Sequence, residues 1–579
     1  MNIDALQALT AGRLAEGRRV LDHCWRTLAS ETAGEGKPDP GKLEACQVPA
    51  FRLAHLHAQD YAARTLFESG FGNDTEALLA IAFGARVLEA QLTGLPTLAL
   101  HMEGVGEEAL EIAHHPETLS VIQEASTPAF QQELLRRLPG SGAGHDTPGD
   151  GSLAEEYRML RDTFRTFAER KVKPIAESMH REDGLIPDAL IREAAGLGCF
   201  GLSIPAEHGG AQERPDNLGM VIVTEELSRG ALIVGSLITR PEILAKALLH
   251  GGTAEQKARF LPPMASGEQM VAISVTEPDT GSDVAGVSTT ATPTPEGWRI
   301  NGTKVWSTFA GRAELIGLLA RTEPDRTLGH RGLGMFVVEK PPFTGHDFEH
   351  APPGPGPSGG GRLAGRAIAT LGYRGMHSFE LTFEDYLVPA DNLIGGEAGR
   401  GKGFYLQMEG FAYGRLQTSG RALGVMQAAY EAAREYAANR QVFGKALGDF
   451  PLSRAKLAAM AASVHAGRQA TYAAARLLDQ GEGQMEASLV KLLTCRDAEW
   501  VTREAMQMHG GMGYAEEFAV SRLFADARVL SIFEGAEEVL ALRVIVPTVL
   551  KRLADSQPLK AGGPPRAESA PVGPPGRRT

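Results

Sequence analysis

The stretch "LSIFEGAEEV", residues 530–539, sets a single carboxylate, Glu534, between an apolar run and Gly535 near the end of a 579-residue chain. Acidic side chains are favoured at helix N-termini, and "AEEVLALRVI" has helical character, so a helix start is one reading of Glu534, Glu537 and Glu538. The alternative is a base held in a dry pocket. Which applies depends on what the rest of the chain builds around it.

The chain is several times the typical domain length of about 100–150 residues, and its 43% hydrophobic content can fill more than one core. A net charge of -13, with basic residues interspersed among acidic ones, argues against a nucleic-acid surface and favours small-molecule chemistry. The opening "MNIDALQALTAGRLAEGRRV" has no basic segment followed by an apolar core, and no stretch suggests the roughly 20 apolar residues of a membrane span. The expected location is therefore cytoplasmic. Four scattered cysteines (Cys24, Cys46, Cys199, Cys495) read as reduced thiols, and no metal site is expected. His55, His57, His114 and His115 lack acidic or cysteine partners in register and read as ordinary helix residues.

Gly- and Pro-rich breaks divide the chain. Residues 138–152, "LPGSGAGHDTPGDGS", read as a linker; 350–366, "HAPPGPGPSGGGRLAGR", as a loop inserted between strands; and 554–579 as a disordered tail. Three- and four-residue apolar spacing makes 1–137 an extra N-terminal helical section, a small bundle in which each segment carries an apolar stripe. Residues 153–270 are again helical. From 271 to 388 short β-branched or alternating runs follow ("MVAISVTE", "GWRINGTKVWST", "LIGLLART", "GMFVVEK", "SFELTFEDYLV"), and 389–553 return to helix, with Leu416, Leu423, Met426, Tyr430, Ala433 and Ala437 on one stripe. The fold class is α+β, mainly α.

Within the β-section, "SVTEPDTGSDVAG" (274–286) combines hydroxyls and glycines that suit close approach to a polar ligand, or a plain turn. "INGTKVWST" (300–308) reads as a hairpin with Asn301 and Gly302 at its tip, carrying Trp306 beside Ser307 and Thr308, where it could cover a planar ring or fill a core.

"VTEPDTGSDVAG", "INGTKVWST", "RQVFGK", "QMHGGMGY" and "IFEGAEEV" occur in the order and approximate spacing of the acyl-CoA dehydrogenases, and the resemblance spans about 153–553. It implies a helical N-domain, a β-barrel-like middle domain and a four-helix C-domain, with FAD between domains at a subunit interface of a homodimer or homotetramer. It places Val275, Thr276, Gly281 and Ser282 near the flavin and Trp306, Ser307 and Thr308 on the isoalloxazine. Arg440 and Phe443 would reach the FAD of another subunit, with Gln507, Gly510 and Gly511 near its adenosine end. Fixed guanidinium donors suit a pyrophosphate, and paired glycines let backbone amides approach it.

By the same resemblance Glu534 is the catalytic base, removing the α-proton of an acyl-CoA thioester while the β-hydrogen leaves as hydride to the flavin. The enolate-like oxygen would be held by the base's own backbone N–H and a ribityl hydroxyl. Some relatives carry the base just before the residue matching Arg415; here that position is Gly414. The subgroup acting on (2S)-methylsuccinyl-CoA in the ethylmalonyl-CoA pathway is most similar, and it too carries an added N-terminal section. Departures from the wider family, Ala536 and Leu540, fit that subgroup. A buried substrate carboxylate needs a cation, for which "GALIVGSLITRPEIL" (230–244) offers Thr239 and Arg240, with Gly235 leaving room; Arg415 and Gly535 complete the expected substrate contacts. The expected electron acceptor is electron-transfer flavoprotein. A general short- or branched-chain acyl-CoA dehydrogenase is the alternative reading, and a DNA-associated flavoprotein of the same fold a more distant one.

Overall fold

The computed structural model describes residues 2–34, 38–138, 153–211, 213–355 and 359–555. Nearly all of the expected linker, and the tail beyond Asp555, lie outside them.

Three long helices, Ile3–Glu31, Gln47–Ser69 and Asp74–Ala99, dominate the front section. Asn2 and Asn73 start two of them by accepting backbone N–H groups that the first turn cannot satisfy internally. Asp74–Ala99 is long and apolar enough, by length and composition, to cross a membrane, contrary to the sequence expectation, but 61% of its most apolar window is buried inside the protein. It packs on Ile3–Glu31 and on helix Pro451–Asp479 of the C-terminal bundle.

That packing makes the front section continuous with the bundle, since its buried side chains and those of the C-terminal helices form one apolar cluster. Arg86 spans the junction, donating to Asp497 at 2.8 Å while its guanidinium lies 4.6 Å from the centre of the Trp500 ring. Leu135 and Leu138 carbonyls accept from Arg434 across the same seam.

Eight strands form the middle section: β1 (Val271–Ser274), β2 (Thr290–Thr294), β3 (Gly297–Thr308), β4 (Leu315–Arg321), β5 (Leu333–Glu339), β6 (Asp347–His350), β7 (Arg362–Ile368) and β8 (Ser378–Val388). Their order is β1-β4-β2-β3-β8-β7-β6, with β5 antiparallel to β4. The Val305 N–H donates to Thr276 O at 2.8 Å, joining β3 back to the chain leaving β1 and closing a path through β1, β4, β2 and β3. This closure is the barrel-like feature. β4 is buried along its whole length, which is why it reads as a continuous apolar run without alternation.

Two local expectations need correction. Asn301 and Gly302 lie inside β3, at a bulge against β8, and the hairpin turns instead at Pro295 and Glu296 between β2 and β3. Asn-Gly favours positive φ, which a bulge uses as well as a turn: Gly302 has φ +143°, and a Cβ there would stand 2.6 Å from the Thr289 hydroxyl. The expected 350–366 loop is also shorter, because Arg362 onward pairs with β6 and β8 as β7.

The C-terminal bundle consists of helices Gly403–Asn439, Pro451–Asp479, Gln484–His509 and Ala519–Leu530. All six stripe residues named from sequence are buried in the first of these. Helices Asn217–Gly230 and Arg240–Gly251 pack against it, and the Glu534 carboxylate meets it at Gly414, close to Ile243.

Candidate active site

Glu534 does not start a helix. The next helical turn begins at Glu537, with Ala536 before it and no side-chain cap, so only Glu537 and Glu538 occupy a first turn. Glu534 and Gly535 both have positive φ, +54° and +95°. This kink is uncommon for a residue with a Cβ and marks a position held by its surroundings. One contact holds it: Lys491 Nζ donates to Gly535 O at 2.6 Å. At the +95° φ of Gly535 a Cβ would be strained, and it would also come within 3.0 Å of Leu540 Cδ2, so the position favours glycine. The Glu534 N–H donates to no group among the described residues.

The carboxylate points at helix Gly403–Asn439. A Cβ built on Gly414 would lie 2.8 Å from Glu534 Oε2. A side chain at position 414 and the side chain of Glu534 are therefore aimed at the same place, and the glycine is what leaves that place to Glu534. Arg415, next in the helix, is nearly enclosed; burial lowers its pKa to about 10 against the opposing pull of the Glu534 charge, and its only hydrogen bond among the described residues is a long 3.4 Å contact to Ser488.

Beyond the Glu534 carboxylate lies a group of buried charges. Thr239 and Arg240 are both buried, the Thr239 hydroxyl and Arg240 Nε donating to the carbonyl of Ser236 at 2.8 and 3.2 Å. Arg240 is the first residue of helix Arg240–Gly251, where the helix dipole disfavours a cation. Arg421, fully buried, donates to the Thr239 hydroxyl at 3.3 Å and lies over the Phe533 ring at 5.3 Å. Its Nε and one terminal nitrogen have no hydrogen-bond partner among the described residues. Burial lowers the Arg421 pKa; Arg240 adds to that shift, while Tyr373 and Glu534 oppose it. Among the described residues, no carboxylate comes within 4.0 Å of either Arg240 or Arg421. Glu242, also buried, is raised to about 7 by desolvation; Lys246 and Arg421 pull it back and Glu534 pushes it up. Two buried cations thus lie beside Thr239 with no carboxylate within 4.0 Å among the described residues, an arrangement that favours an incoming anion.

Arg421 and Glu242 were not singled out from the sequence. The signal for Arg421 was there: it is the only charged residue between Leu416 and Tyr430 in a helix of apolar and small side chains.

On the sheet, Trp306 is 55% exposed with φ +60°, at the second irregularity between β3 and β8. Ser307 turns its hydroxyl inward to Ser274 at 2.8 Å, and the Thr308 hydroxyl pairs with Ser378 at 2.8 Å. Val275 and Thr276 are half-buried and Gly281 and Ser282 exposed. The loop they begin is anchored by Glu277, whose carboxylate accepts from Ser288 and Thr289 and pairs with the buried Lys304 at 2.8 Å; these partners outweigh desolvation and hold its pKa down to about 2. At the far end of the bundle, Tyr436 stacks on His509 at 4.2 Å, bringing the helix ends that carry Arg440 and Gly510 together. Phe443 is 96% exposed with φ +49°; Arg440 and Gln507 are exposed; Gly510 has φ +60°, and Cβ atoms at Gly510 and Gly511 would meet nothing within 4 Å. None of these five makes a hydrogen bond, ion pair or ring contact with Glu534 or Trp306.

A helical section, a sheet and a four-helix bundle in this order, with Glu534 just after the last bundle helix and Trp306 exposed on the sheet, match a flavin-dependent acyl-CoA dehydrogenase, and the chain belongs to that family. Models of the acyl-CoA dehydrogenase N-terminal, middle and C-terminal domains match residues 154–268, 272–386 and 401–547. Among individual relatives, the chain is 39% identical over 560 residues to (2S)-methylsuccinyl-CoA dehydrogenase of Cereibacter sphaeroides, covering 95% of this chain and 98% of that one. It is 34% identical to the human mitochondrial short-chain specific acyl-CoA dehydrogenase, over 67% of this chain and 89% of that one. Butyryl-CoA dehydrogenase from Megasphaera elsdenii superposes with a TM-score of 0.62 at 30% identity, over 69% of this chain and 99% of that one.

Enzymes of this family use FAD. The residues present fit it: the exposed Trp306 ring offers a stacking face, and the open, positive-φ backbone at Gly510 allows close approach.

Proposed function

We propose that the protein oxidises (2S)-methylsuccinyl-CoA to mesaconyl-CoA and passes the electrons to electron-transfer flavoprotein. The observation that carries this reading is the pair of buried guanidiniums, Arg240 and Arg421, with no carboxylate within 4.0 Å among the described residues. A plain acyl chain would leave both desolvated and unpaired; a terminal carboxylate compensates them. The similarity to the Cereibacter sphaeroides enzyme supports the same substrate.

In this reading Glu534 accepts the α-proton as the bond between the α- and β-carbons becomes double. Bound FAD supplies the acceptor for the hydride leaving the β-carbon. The unengaged N–H of Glu534 donates to the thioester oxygen as charge develops there, an oxyanion contact made possible by the positive φ of the base itself. Gly535 and Arg415 border the thioester, Gly414 gives the carboxylate its space, and Thr239, Arg240 and Arg421 hold the distal carboxylate. Trp306 and Thr308, with Val275, Thr276, Gly281 and Ser282, form the flavin wall, the inward Ser307 contributing backbone only. Arg440, Phe443, Gln507, Gly510 and Gly511 serve the cofactor of a second copy in a homo-oligomer.

The test is anaerobic flavin bleaching of the purified holoenzyme against acyl-CoAs matched in branching, with and without a terminal carboxylate. Fastest bleaching by methylsuccinyl-CoA is the expected result. Preference for the uncharged branched substrates would establish the general short- or branched-chain reading, which the human relative favours.

A further inference from the structure

Asp183, His346 and His377 come from three separate connections: the turn after helix Lys173–Arg181, the residue before β6 and the residue before β8. Their ligand atoms converge on one point. His346 Nε2 and His377 Nε2 are 3.0 Å apart, and each is 3.2 Å from a carboxylate oxygen of Asp183. The imidazole planes stand at 89° with centroids 4.5 Å apart, so two ring nitrogens meet without the rings stacking.

Hydrogen bonding alone does not satisfy this triangle. Each Nε2 has one in-plane position, occupied either by a proton or by a lone pair. If both donate to Asp183, the two nitrogens face each other at 3.0 Å with no proton between them; if one donates to the other, a carboxylate contact loses its proton. One cation at the centre satisfies all three lone pairs. Metal–nitrogen and metal–oxygen bonds of about 2.0–2.2 Å put neighbouring ligand atoms about 2.8–3.1 Å apart at octahedral angles and about 3.3–3.6 Å apart at tetrahedral ones, and the 3.0 and 3.2 Å separations seen here lie within that combined range.

From this geometry we infer that Asp183, His346 and His377 form a binding site for a divalent first-row transition metal ion, zinc being the best match to two imidazoles and one carboxylate. Exposure suits uptake from solution: His346 and Asp183 side chains are 50% and 42% exposed, whereas His377 is buried. Three protein ligands leave positions for water, and the carboxylate offsets part of the ion's charge.

The site ties the helical section to the sheet beside the proposed flavin wall. The His377 carbonyl accepts from Phe309 N at 2.8 Å, and the adjacent Ser378 hydroxyl is the partner of Thr308. Asp183 and His377 both have positive φ, +50° and +45°, so both ligands sit at backbone kinks which a shared ion would fix. The site depends on neither the choice of acyl substrate nor catalysis.

The test uses FAD-loaded protein without a polyhistidine tag, stripped with chelator, dialysed and titrated with ZnCl2, with bound metal measured directly; CoCl2 gives an independent visible spectrum. One ion per chain at micromolar or lower free zinc is expected, with a rise of several degrees in Tm at saturating metal. His346→Gln, at a half-exposed position, and Asp183→Asn should each weaken uptake at least tenfold and abolish the Tm shift while keeping the flavin spectrum. Absence of saturable uptake below millimolar zinc, or uptake unchanged in both variants, would overturn the assignment.

Discussion

Gly414→Ala perturbs the proposed base without touching its chemistry. The added methyl would stand 2.8 Å from Glu534 Oε2 and 3.4 Å from its Cδ. Restoring ordinary contact requires the carboxylate oxygen to retreat by at least about 0.6 Å, given that 2.8 Å separation. The fold tolerates this, because the retreating atom is the end of a flexible side chain and alanine in a helix interior is favoured over glycine by about 1 kcal/mol. Catalysis does not. A misplacement of about 1 Å can cost about 100-fold, so a shift of this size should lower the rate of flavin bleaching by methylsuccinyl-CoA about 10- to 100-fold, equivalent to about 1.4–2.7 kcal/mol. Single-turnover bleaching under anaerobic rapid mixing reports the chemical step directly, while the flavin spectrum and Tm report the fold. A variant with full flavin content and bleaching within twofold of the parent would refute the placement of Glu534 as proton acceptor.

Glu534→Gln should retain FAD and substrate affinity and lose about 100- to 10,000-fold in turnover, the range for removing a positioned base; near-normal turnover would exclude it. Arg240→Ala should raise KM for methylsuccinyl-CoA far more than for an uncharged branched acyl-CoA, and equal effects would count against a carboxylate clamp. Arg421→Met should abolish the preference for the dicarboxylic substrate while leaving Tm unchanged or higher, since it removes a buried cation that lacks a carboxylate within 4.0 Å among the described residues. Glu242 is raised from the ordinary carboxylate range to about 7, so it binds its proton more tightly folded than unfolded. Its contribution to stability is present below about pH 4.5 and is lost as pH rises toward 7. Glu242→Gln should therefore gain at most about 3 kcal/mol relative to the parent between pH 5 and 7.5, read from urea unfolding; parallel pH profiles would contradict it.

Apolar runs such as "LIGLLART" marked strands because both faces are buried, and helical stripes such as Leu416 to Ala437 marked the bundle because one face is. Local text failed where two geometries share a composition, as at Asn301-Gly302, where bulge and turn both want positive φ. Glu534 could be named as a candidate because its motif is contiguous, whereas its approach to Gly414 is a property of packing. Arg240 could be named but not placed, since burial at the wrong end of a helix dipole is a property of packing. Asp183 and His377 are separated by 194 positions, and no spacing rule connects them; only the meeting of helix and sheet does.

The convergence of positions 414 and 534 also constrains how such a site can change over evolutionary time. One point in space is reachable from a rigid helix and from a kinked loop, so the proton acceptor could be handed from one to the other with two substitutions and no change of fold. Neither order is smooth. Under the proposed mechanism, losing Glu534 first leaves no base, and gaining an acid at 414 first crowds two like charges into a space that already places a Cβ 2.8 Å from a carboxylate oxygen. On that proposed mechanism the glycine at 414 is thus a lock as well as room for a side chain: it keeps the proton acceptor on the loop.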